Sequence, residues 1–326
     1  MLYAETDSTD PYYNLAFEEY ILCSKTDGEW LLLWQNDNTV VIGLNQNASE
    51  EIDPDFVNER GVRVARRTTG GGAVYHDIGN LNYSFITDAG GTADLSMERF
   101  TGAICAALAA MGLEAEPAGR NDITVCGRKV SGTAQRLYKG RILHHGTLLF
   151  SSDLSMLRGA LRADRAKFSS KSTKSIQGRV GNICDYLHED CSIEDFKERL
   201  RLALTAGRCD LVRLSAGELA EVEKLADEKY RTWEWNYGTS PPYTMKKRDC
   251  FEGGCLEVAV SVSGGFIERI SFHGDFMARM PLDPLTAELV GRRFDRFEAA
   301  SLLAEYPVEE MFGSISTGQI LDLMFK

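Results

Sequence analysis

The sequence has no apolar segment that could cross a membrane. The longest apolar runs among its 326 residues, such as Trp30 to Trp34, fall far short of the roughly 20 residues that a transmembrane helix needs. No basic and apolar signal segment stands at the N-terminus. We therefore expect a cytoplasmic protein with no membrane partner.

The sequence also lacks an excess of positive charge. It contains 36 basic and 48 acidic residues, which gives a formal net charge of −12 at pH 7. Because a nucleic-acid partner demands a positive footprint, this balance argues against broad nucleic-acid binding. The clearest exception runs from Arg158 to Arg179, where seven basic residues accompany a single acidic one, Asp164. An acidic protein can therefore still hold a local basic site.

Neither of the two common nucleotide-binding motifs occurs. The segment Gly70-Gly71-Gly72 has neither the Gly-Lys-Ser/Thr ending of a Walker motif nor the spacing of the Rossmann fingerprint. A bound nucleotide would have to be held by other groups.

Eight cysteines spread through a chain of this length fit reduced thiols better than a disulfide framework. We expect most of them to be buried packing residues. Cys184 and Cys191 flank His188, but this spacing is not one of the standard zinc arrangements, and a fourth ligand is missing. Cys250 and Cys255 flank Phe-Glu-Gly-Gly, which is more typical of a turn than of a metal knuckle. The metal ligands of the protein, if any, stay unknown at this point.

The segment from Arg66 to Asp77 has the clearest local pattern. It reads Arg-Arg-Thr-Thr-Gly-Gly-Gly-Ala-Val-Tyr-His-Asp, and residues 63–67 and 73–76 have the composition of short strands. The pattern predicts a hairpin with bare backbone at its turn and two arginines at its rim. Because glycine has no Cβ, an anion or a flat ligand can approach the N–H groups, which suits a carboxylate or a phosphate. The alternative is a tight hairpin with two solvated arginines.

Hydrophobic periodicity predicts an α+β fold. A helix should begin at Asp10-Pro11, with Glu18-Glu19 near its start, where negative charge suits the helix dipole. We expect a sheet of six or more strands with helices against one face. The strands are predicted at residues 30–34, 39–43, 81–86, 119–125, 127–135 and 142–150, and further helices at residues 96–111, 192–204 and 215–230.

The C-terminal part of the chain has the pattern of a second, smaller domain. Pro241-Pro242 breaks the chain, and residues 256–262 then alternate before Ser263-Gly264-Gly265 turns the chain into residues 266–272. We expect this hairpin to be followed by two helices. The predicted division is a catalytic domain at residues 1–240 and a small α+β domain at residues 247–326.

Four segments, taken in order, resemble the lipoate–protein ligases, within the wider family of biotin and lipoate protein ligases. They are Arg66 to Asp77, Arg120 to Asp122, Lys129 to Ala134 and His144 to Leu148. The resemblance covers nearly the whole chain. It implies a mixed-sheet catalytic domain of the biotin/lipoate ligase type and a C-terminal accessory domain. One departure is Leu44, which stands where the family has a basic residue after Gly43.

The resemblance implies a reaction with ATP and Mg²⁺. Lipoate would be activated to lipoyl-AMP with release of pyrophosphate, and the lipoyl group would then pass to a specific lysine of an acceptor protein. The family's acceptors are the lipoyl domains of 2-oxo acid dehydrogenase E2 subunits and the glycine-cleavage H protein. A monomer is expected. The choice between lipoate and octanoate is left open.

The resemblance also implies the residues of the site. Lys129 would be the catalytic residue, because the family's lysine at this position contacts both the carboxylate and the phosphate. Asp122 could bind Mg²⁺ directly or act as an ordinary strand-edge turn former. The residues implied in lipoate and ATP binding are Arg67, Gly71, Gly72, Ala73, Val74, Tyr75, Asn121, Asp122 and Lys129, and those of an adenylate-covering loop are Lys167, Lys171 and Arg179.

Two alternatives follow from the same residues. An acyl transferase of this fold would carry octanoyl on a cysteine thioester without ATP, and Cys126, between Asp122 and Lys129, is the cysteine to examine. A non-catalytic lipoate-binding module would not need Lys129. Since an acyl adenylate is already activated, the three histidines near these motifs are interpreted as pocket-lining or hydrogen-bonded core residues: His76, His144 and His145.

Overall fold

The computed structural model describes residues 1–46, 48–90, 96–119, 121–161, 180–237, 245–263 and 265–325. Within these ranges the strands are β1 (Leu2–Glu5), β2 (Trp30–Trp34), β3 (Thr39–Ile42), β4 (Arg63–Arg66), β5 (Val74–His76), β6 (Asn80–Asp88), β7 (Ala115–Ala118), β8 (Asp122–Val125), β9 (Arg128–Tyr138), β10 (Arg141–Leu149), β11 (Asp210–Leu211), β12 (Met245–Phe251), β13 (Gly254–Ser263) and β14 (Phe266–Gly274).

The helices of the described residues lie between and after these strands. They are α1 (Pro11–Ser24), α2 (Ala48–Glu51), α3 (Pro54–Glu59), α4 (Met97–Ala109), α5 (Leu154–Ala160), α6 (Ile193–Thr205), α7 (Ala216–Leu225), α8 (Trp233–Asn236), α9 (Asp283–Leu289), α10 (Arg296–Leu303), α11 (Val308–Phe312) and α12 (Thr317–Phe325). A short 3₁₀ turn covers Ile183–Tyr186, and a π-helical turn at Ala226–Tyr230 continues α7. No helix of these ranges has the length and apolarity needed to cross a membrane.

Eight strands form one mixed sheet in the spatial order β11-β1-β2-β6-β10-β9-β8-β7. Strand β1 runs parallel to both of its neighbours, whereas the strands from β2 to β7 along this order pair antiparallel. A mixed sheet combined with helices is an α+β fold, as the sequence predicts.

Helices cover the large sheet on both faces, not on one. Strand β2 is buried along its whole length. Its residues Leu31 and Leu33 pack in a cluster with α4 and α6, and Leu32 packs in another with α1 and α7. The expectation of helices against one face was therefore wrong. A strand that is apolar throughout has no side suited to solvent, so both of its faces require cover.

The first helix begins as predicted. Asp10 accepts a hydrogen bond from the N–H of Tyr12, and Pro11 occupies the first turn. Glu18 and Glu19, however, are buried in the body of the helix and do not lie in its first turn. The helix-dipole explanation for these two carboxylates was wrong, and their hydrogen-bond partners give the actual reason for their positions.

The glycine-containing segment does not form a hairpin. Strands β4 and β5 do not pair with each other; β3 lies between them, parallel to β4 and antiparallel to β5. Residues 67–73, which we call the glycine turn, connect the two outer strands across the end of β3. The connection is long enough to leave room for a third strand, so this part of the prediction was wrong.

The C-terminal part has its own sheet and core. Strands β12, β13 and β14 form an antiparallel sheet, and the buried residues of this part pack α9 to α12 against it. The predicted hairpin is confirmed as β13 and β14, but β12 was not predicted, and four helices follow in place of two. Cys250 and Cys255 are opposite each other on β12 and β13 and form a disulfide. The expectation that all cysteines are thiols was therefore wrong at this turn.

Candidate active site

One cavity collects most of the residues that the sequence singles out. It lies beside the ends of β2, β6, β10 and β9, with α1 and the glycine turn as its other walls. The empty space measures about 590 Å³, part of it open to solvent. The lining residues are Leu15, Trp34, Val41, Arg67, Gly72, Ala73, Val74, His76, Asn82, Asn121, Lys129, Gly132, Thr133, Ala134, His145, Gly146 and Thr147.

The cavity runs across the sheet and has two different ends. Trp34 on β2 is opposite Asn82 on β6, which is opposite Thr147 on β10, and Thr147 Oγ1 accepts the N–H of Gly132 on β9. Neighbouring strands are about 4.8 Å apart, so three strand spacings separate the two ends by about 14 Å. We call the residues Asn121, Lys129, Gly132 and Thr133 the lysine end, and Leu15, Trp34, Val41, His76 and Asn82 the deep end.

Lys129 is held at the lysine end by an ion pair. Its Nζ lies 2.7 Å from Oδ1 of Asp122 on the neighbouring strand, and both side chains are partly exposed. A Cβ on Gly132 would lie 3.1 Å from this Nζ, so the glycine leaves room for the lysine side chain. Because exposed ion pairs contribute only about 0–1 kcal/mol, a substrate anion can take the place of Asp122 at little cost.

Asn121 binds protein backbone at the same end. Its side-chain Nδ2 donates to the backbone carbonyl of Thr133 at 3.0 Å, and its backbone carbonyl accepts the N–H of Thr133. Asn121 thus closes the connection into β8 while it lines the cavity. Its side-chain amide therefore forms part of the cavity wall.

Arg67 lies beneath the glycine turn and is not at a rim. Its Nη1 donates to the carbonyl of Val41 at 3.1 Å, and its Nη2 donates to the carbonyls of Gly70 and Gly72 at 2.7 and 2.8 Å. The expectation of a solvent-facing arginine was therefore wrong. Burial lowers the pKa of Arg67 to about 10, which still leaves a positive charge at neutral pH. Arg67 shapes the turn and contributes a fixed charge to the cavity wall.

Arg66 is the second buried arginine, and it also binds carbonyl groups. Its guanidinium donates to the backbone oxygens of residues on two separate segments: Gly43, Leu44, Gln46, Trp235 and Asn236. Burial lowers its pKa to about 10 as well. Arg66 joins the segment after β3 to α8, so it too differs from the expected rim residue.

The glycine turn contacts the C-terminal part of the chain on one side and the cavity on the other. The N–H of Gly71 donates to the carbonyl of Phe276, and a Cβ on Gly70 would lie 2.7 Å from that oxygen and from the nitrogen of Ala278. Gly71 has φ +89°, which only glycine adopts without strain. These two glycines contact the C-terminal part, so the expected contribution of the Gly71 N–H to an anion is absent from this arrangement. Gly72 lines the cavity.

Side chains along β5 point alternately into the cavity and away from it. Val74 and His76 line the cavity, whereas Tyr75 is buried on the opposite face in a cluster with β3 and α3. Its hydroxyl donates to Oδ1 of Asn38 at 3.1 Å. Tyr75 therefore supports the wall from behind. Ala73, before the strand, lines the cavity as expected.

A buried hydrogen-bond chain joins α1 to the glycine turn. Glu18 Oε1 is 2.8 Å from Nδ1 of His145 and accepts from Oγ of Ser84, and Nε2 of His145 is 2.7 Å from Oγ1 of Thr69. Arg67 Nε donates to the same Thr69 oxygen at 3.0 Å. Glu18 was not predicted in this role, although two adjacent acidic residues inside an apolar helix were the available signal.

The histidines occupy the interior, as expected. His76 and His145 line the cavity, and His144 stacks on Phe100 with ring centroids 4.6 Å apart. Burial lowers the pKa of His76 and of His144 to about 3, so both are neutral at physiological pH. Neither is suited to take up a proton from a substrate amine.

Two family models match the sequence. The model of the lipoyl protein ligase A/B catalytic domain matches residues 10–205, and that of the bacterial lipoate protein ligase C-terminus matches residues 240–324. The chain belongs to the lipoate–protein ligase family. It is 39% identical to lipoate–protein ligase 1 of Staphylococcus aureus, over 97% of each chain. It is also 37% identical to lipoate–protein ligase LplJ of Bacillus subtilis, over the whole of both chains.

Solved structures of the family share the fold. LipL1 of P. falciparum, in complex with lipoate, matches with a TM-score of 0.81 and 25% identity over 98% of this chain and 97% of that one. An archaeal bipartite ligase from Thermoplasma acidophilum, studied with its E2 lipoyl domain, matches with a TM-score of 0.65 and 33% identity over 75% and 98%. Lipoate–protein ligase A bound with ATP matches with a TM-score of 0.62 and 30% identity over 73% and 97%.

The lysine-rich loop that the family resemblance implies lies outside the described residues. Lys167, Lys171 and Arg179 all fall between residues 161 and 180. The described chain resumes at Val180, which forms a bridge with Lys129, and the N–H of Gly181 donates to the carbonyl of Lys129. The backbone of Lys129 therefore pairs with the first described residues after position 179.

The alternatives raised by the cysteines find little support in the geometry. Cys126 has φ +49° and lies exposed in the turn between β8 and β9, outside the residues that line the cavity. Among the described residues, which include Cys184, His188 and Cys191, no group of three or more His, Cys, Asp or Glu side chains could hold a metal ion. At the cavity, Asp122 adds one carboxylate beside Lys129.

Proposed function

We propose that this protein activates lipoate with ATP to form lipoyl-AMP and pyrophosphate, and then transfers the lipoyl group to a specific lysine of an acceptor protein. The carrying observation is the cavity itself, which has a cation at one end and, at the other, a buried wall of mainly apolar side chains with His76 and Asn82 among them. That shape suits an acid with a long apolar tail. The family structures named for lipoate and for ATP support both substrates.

The first step brings two anions together at the lysine end. Two unit negative charges about 4 Å apart repel by about 4 kcal/mol at an effective dielectric constant of about 20. Lys129 would offset this repulsion by leaving Asp122 and binding the lipoate carboxylate and the α-phosphate. The carboxylate oxygen then attacks the α-phosphorus, and pyrophosphate leaves with the electron pair of the broken P–O bond.

The glycine turn would form the nucleotide side of the site. Gly72, Ala73 and Val74 present a low wall with little side-chain bulk, and the charge of Arg67 lies directly beneath it. Asn121 borders the same space. Mg²⁺ commonly binds one or two carboxylates together with substrate phosphates, and Asp122 is the carboxylate that fits this description once Lys129 releases it. The ion would neutralise phosphate charge.

The second step needs alignment more than proton transfer. The amine of the acceptor lysine, in its neutral form, attacks the acyl carbon, and AMP departs with the electron pair of the broken C–O bond. The proton that the nitrogen loses passes to solvent. Lys129 would stabilise the negative charge that develops on the carbonyl and phosphate oxygens. His76 is neutral and lies at the deep end of the cavity, so positioning and charge stabilisation would carry the rate.

The acceptors would be lipoyl domains of 2-oxo acid dehydrogenase E2 subunits and the glycine-cleavage H protein, in the cytoplasm. The archaeal ligase studied with its E2 lipoyl domain supports the first class. We also propose that residues 1–240 and 247–326 are separate domains of a monomeric enzyme. Lys167, Lys171 and Arg179 would cover the adenylate and present positive charge to acidic acceptors, which a protein of net charge −12 otherwise repels.

One experiment tests this function. Pyrophosphate release from ATP would be measured with lipoate, octanoate and biotin, and then acyl transfer to a purified lipoyl domain. We expect release with lipoate and incorporation into the domain, and little release with biotin. Acyl incorporation without any ATP requirement would overturn the proposal in favour of a thioester route.

A further inference from the structure

His76 has one ring nitrogen without a partner, at the deep end of the cavity. The residue is 3% exposed and lines the cavity beside Trp34, with ring centroids 6.3 Å apart. Among the described residues, no group lies within hydrogen-bonding reach of Nε2. A buried donor that stays unpaired costs roughly 1–3 kcal/mol. Such a group at the wall of a binding cavity points to a partner on the ligand.

The tautomer of His76 follows from its neighbours. Asn14 Nδ2 contacts the carbonyls of Ser8 and Gln35 at 2.9 and 2.8 Å, which identifies that atom as the amide nitrogen. Asn14 Nδ2 also donates to Asn36 at 3.0 Å, which identifies the accepting atom as Oδ1 of Asn36. The other amide atom of Asn36 is therefore the nitrogen Nδ2, and it lies 3.1 Å from Nδ1 of His76. Nδ1 therefore accepts, and in the neutral ring the proton is on Nε2.

Within the described parts of the chain, one other polar atom of the deep end also has no partner, Asn82 Nδ2. The remaining groups there are apolar or engaged. Trp34 donates its own N–H to Ser84, and His145 is bonded through both ring nitrogens. Leu15, Val41 and Val74 supply hydrocarbon. A saturated acyl tail would leave the Nε2–H unpaired, whereas a tail with an acceptor atom would satisfy it.

We infer that His76 is a specificity-determining residue that donates its Nε2–H to a ring sulfur of the lipoyl group and thereby selects lipoate over sulfur-free acids. This rests on the proposed function. With the carboxylate at Lys129, the tail has to cross the sheet toward Trp34 and His76, about three strand spacings away. Divalent sulfur is a weak acceptor, so we expect selectivity of about 5- to 10-fold from a net hydrogen bond of about 1 kcal/mol.

The test compares lipoate with its carbocyclic analogue, in which two methylene groups replace the ring sulfurs and the ring shape is kept. The readout is kcat/KM for pyrophosphate release with each acid. We expect the wild-type protein to favour lipoate by about 5- to 10-fold, and His76→Phe to bring the ratio close to one. His76→Gln, whose amide can replace the N–H donor, should keep most of the preference.

The two variants form a matched pair. His76→Phe leaves Asn36 without its acceptor, whereas the amide oxygen of glutamine can still accept a hydrogen bond. Thermal unfolding of each variant reports the structural effect separately from the ratio. Equal kcat/KM for the two acids in the wild-type protein, or an unchanged ratio in His76→Phe, would overturn the inference. No pyrophosphate release with either acid would instead reject the proposed function.

Discussion

The glycine turn and the lysine end both place a cation beside the cavity, but the two regions bind their cations differently. Arg67 is 6% exposed and donates to three backbone carbonyls and one hydroxyl. Lys129 is partly exposed and contacts one carboxylate. Four of the five donors of the arginine bind the protein, whereas the lysine binds one carboxylate and can exchange it for another anion.

The difference follows from the two side chains. A guanidinium has five donors in a rigid fork and stays charged when buried, so it can hold several carbonyls of an irregular turn in place. An ammonium is a compact charge on a flexible stem, so it can move between two anions. A basic residue beside a glycine-rich segment is therefore a ligand-binding residue only if its donors are not already engaged by the turn.

The largest expected effect is on catalysis at the lysine end. Lys129→Ala should lower pyrophosphate release by about 10²–10³-fold, because one preorganised charge contact is lost. Its free energy of unfolding should change by about 1 kcal/mol or less, because the ion pair is partly exposed. Rates and urea unfolding curves measure the two effects. Lys224→Ala, at an exposed lysine of α7, is the matched control. Near-normal rates in Lys129→Ala would remove this lysine from the mechanism.

The next effect is on stability at the glycine turn. Arg67→Met should lower the free energy of unfolding by about 2–4 kcal/mol, because it leaves buried carbonyls without donors. Urea denaturation provides the measurement, and Arg296→Met on the exposed face of α10 is the control. Arg67→Lys keeps the charge but not the forked set of guanidinium donors, so it should recover little of the lost free energy of unfolding. Full stability in Arg67→Lys would show that charge, not hydrogen bonding, is what the turn requires.

A smaller effect concerns pH and the deep end. His76 is neutral when folded, with a pKa of about 3, against about 6.5 for an unfolded histidine. The unfolded state therefore binds the proton first, and stability is full above about pH 6.5 and falls toward pH 3. Between pH 7 and 5 the loss from this residue should be about 2 kcal/mol.

Urea unfolding at the two pH values checks this loss. His76→Phe and His76→Gln should both show a smaller decrease than the wild-type protein, with His188→Gln, at an exposed histidine, as control. A decrease of the wild-type size in both His76 variants would assign the pH dependence to other groups.

Much of the fold could be predicted because it depends on local patterns. The start of α1 at Asp10-Pro11, the buried run of β2 and the position of strand β13 all follow from capping, apolar runs and period-two spacing of the sequence. The pairing of β4 and β5 could not be predicted in this way. The partner of both strands is β3, and strand composition does not specify which strand lies beside which.

The lining of the cavity was predictable where the motif residue itself faces the empty space, as with Lys129 and Gly72. It was not predictable where a charged residue binds other groups of the protein. The partners of Arg66 include Trp235 and Asn236, far along the chain, and those of Glu18 are on β6 and β10. Such long-range contacts leave no spacing in the sequence. The disulfide of Cys250 and Cys255 was not predicted, because its formation depends on the register of β12 and β13, which places the two cysteines opposite each other.

The smallest expected effect is at Cys126, which lies in the same β8–β9 turn region as Lys129 but outside the cavity lining. If the lysine end works by charge alone, Cys126→Ser should change ATP-dependent pyrophosphate release and lipoyl transfer by less than about two-fold, since surface substitutions away from partners cost within about 0.5 kcal/mol. The measurement is both half-reactions with the same lipoyl domain as acceptor. A serine cannot form the thioester that the alternative route requires. Complete loss of transfer in this variant, with lipoyl-AMP still formed, would place a nucleophilic cysteine in the second step. The lysine end would then not work by charge alone.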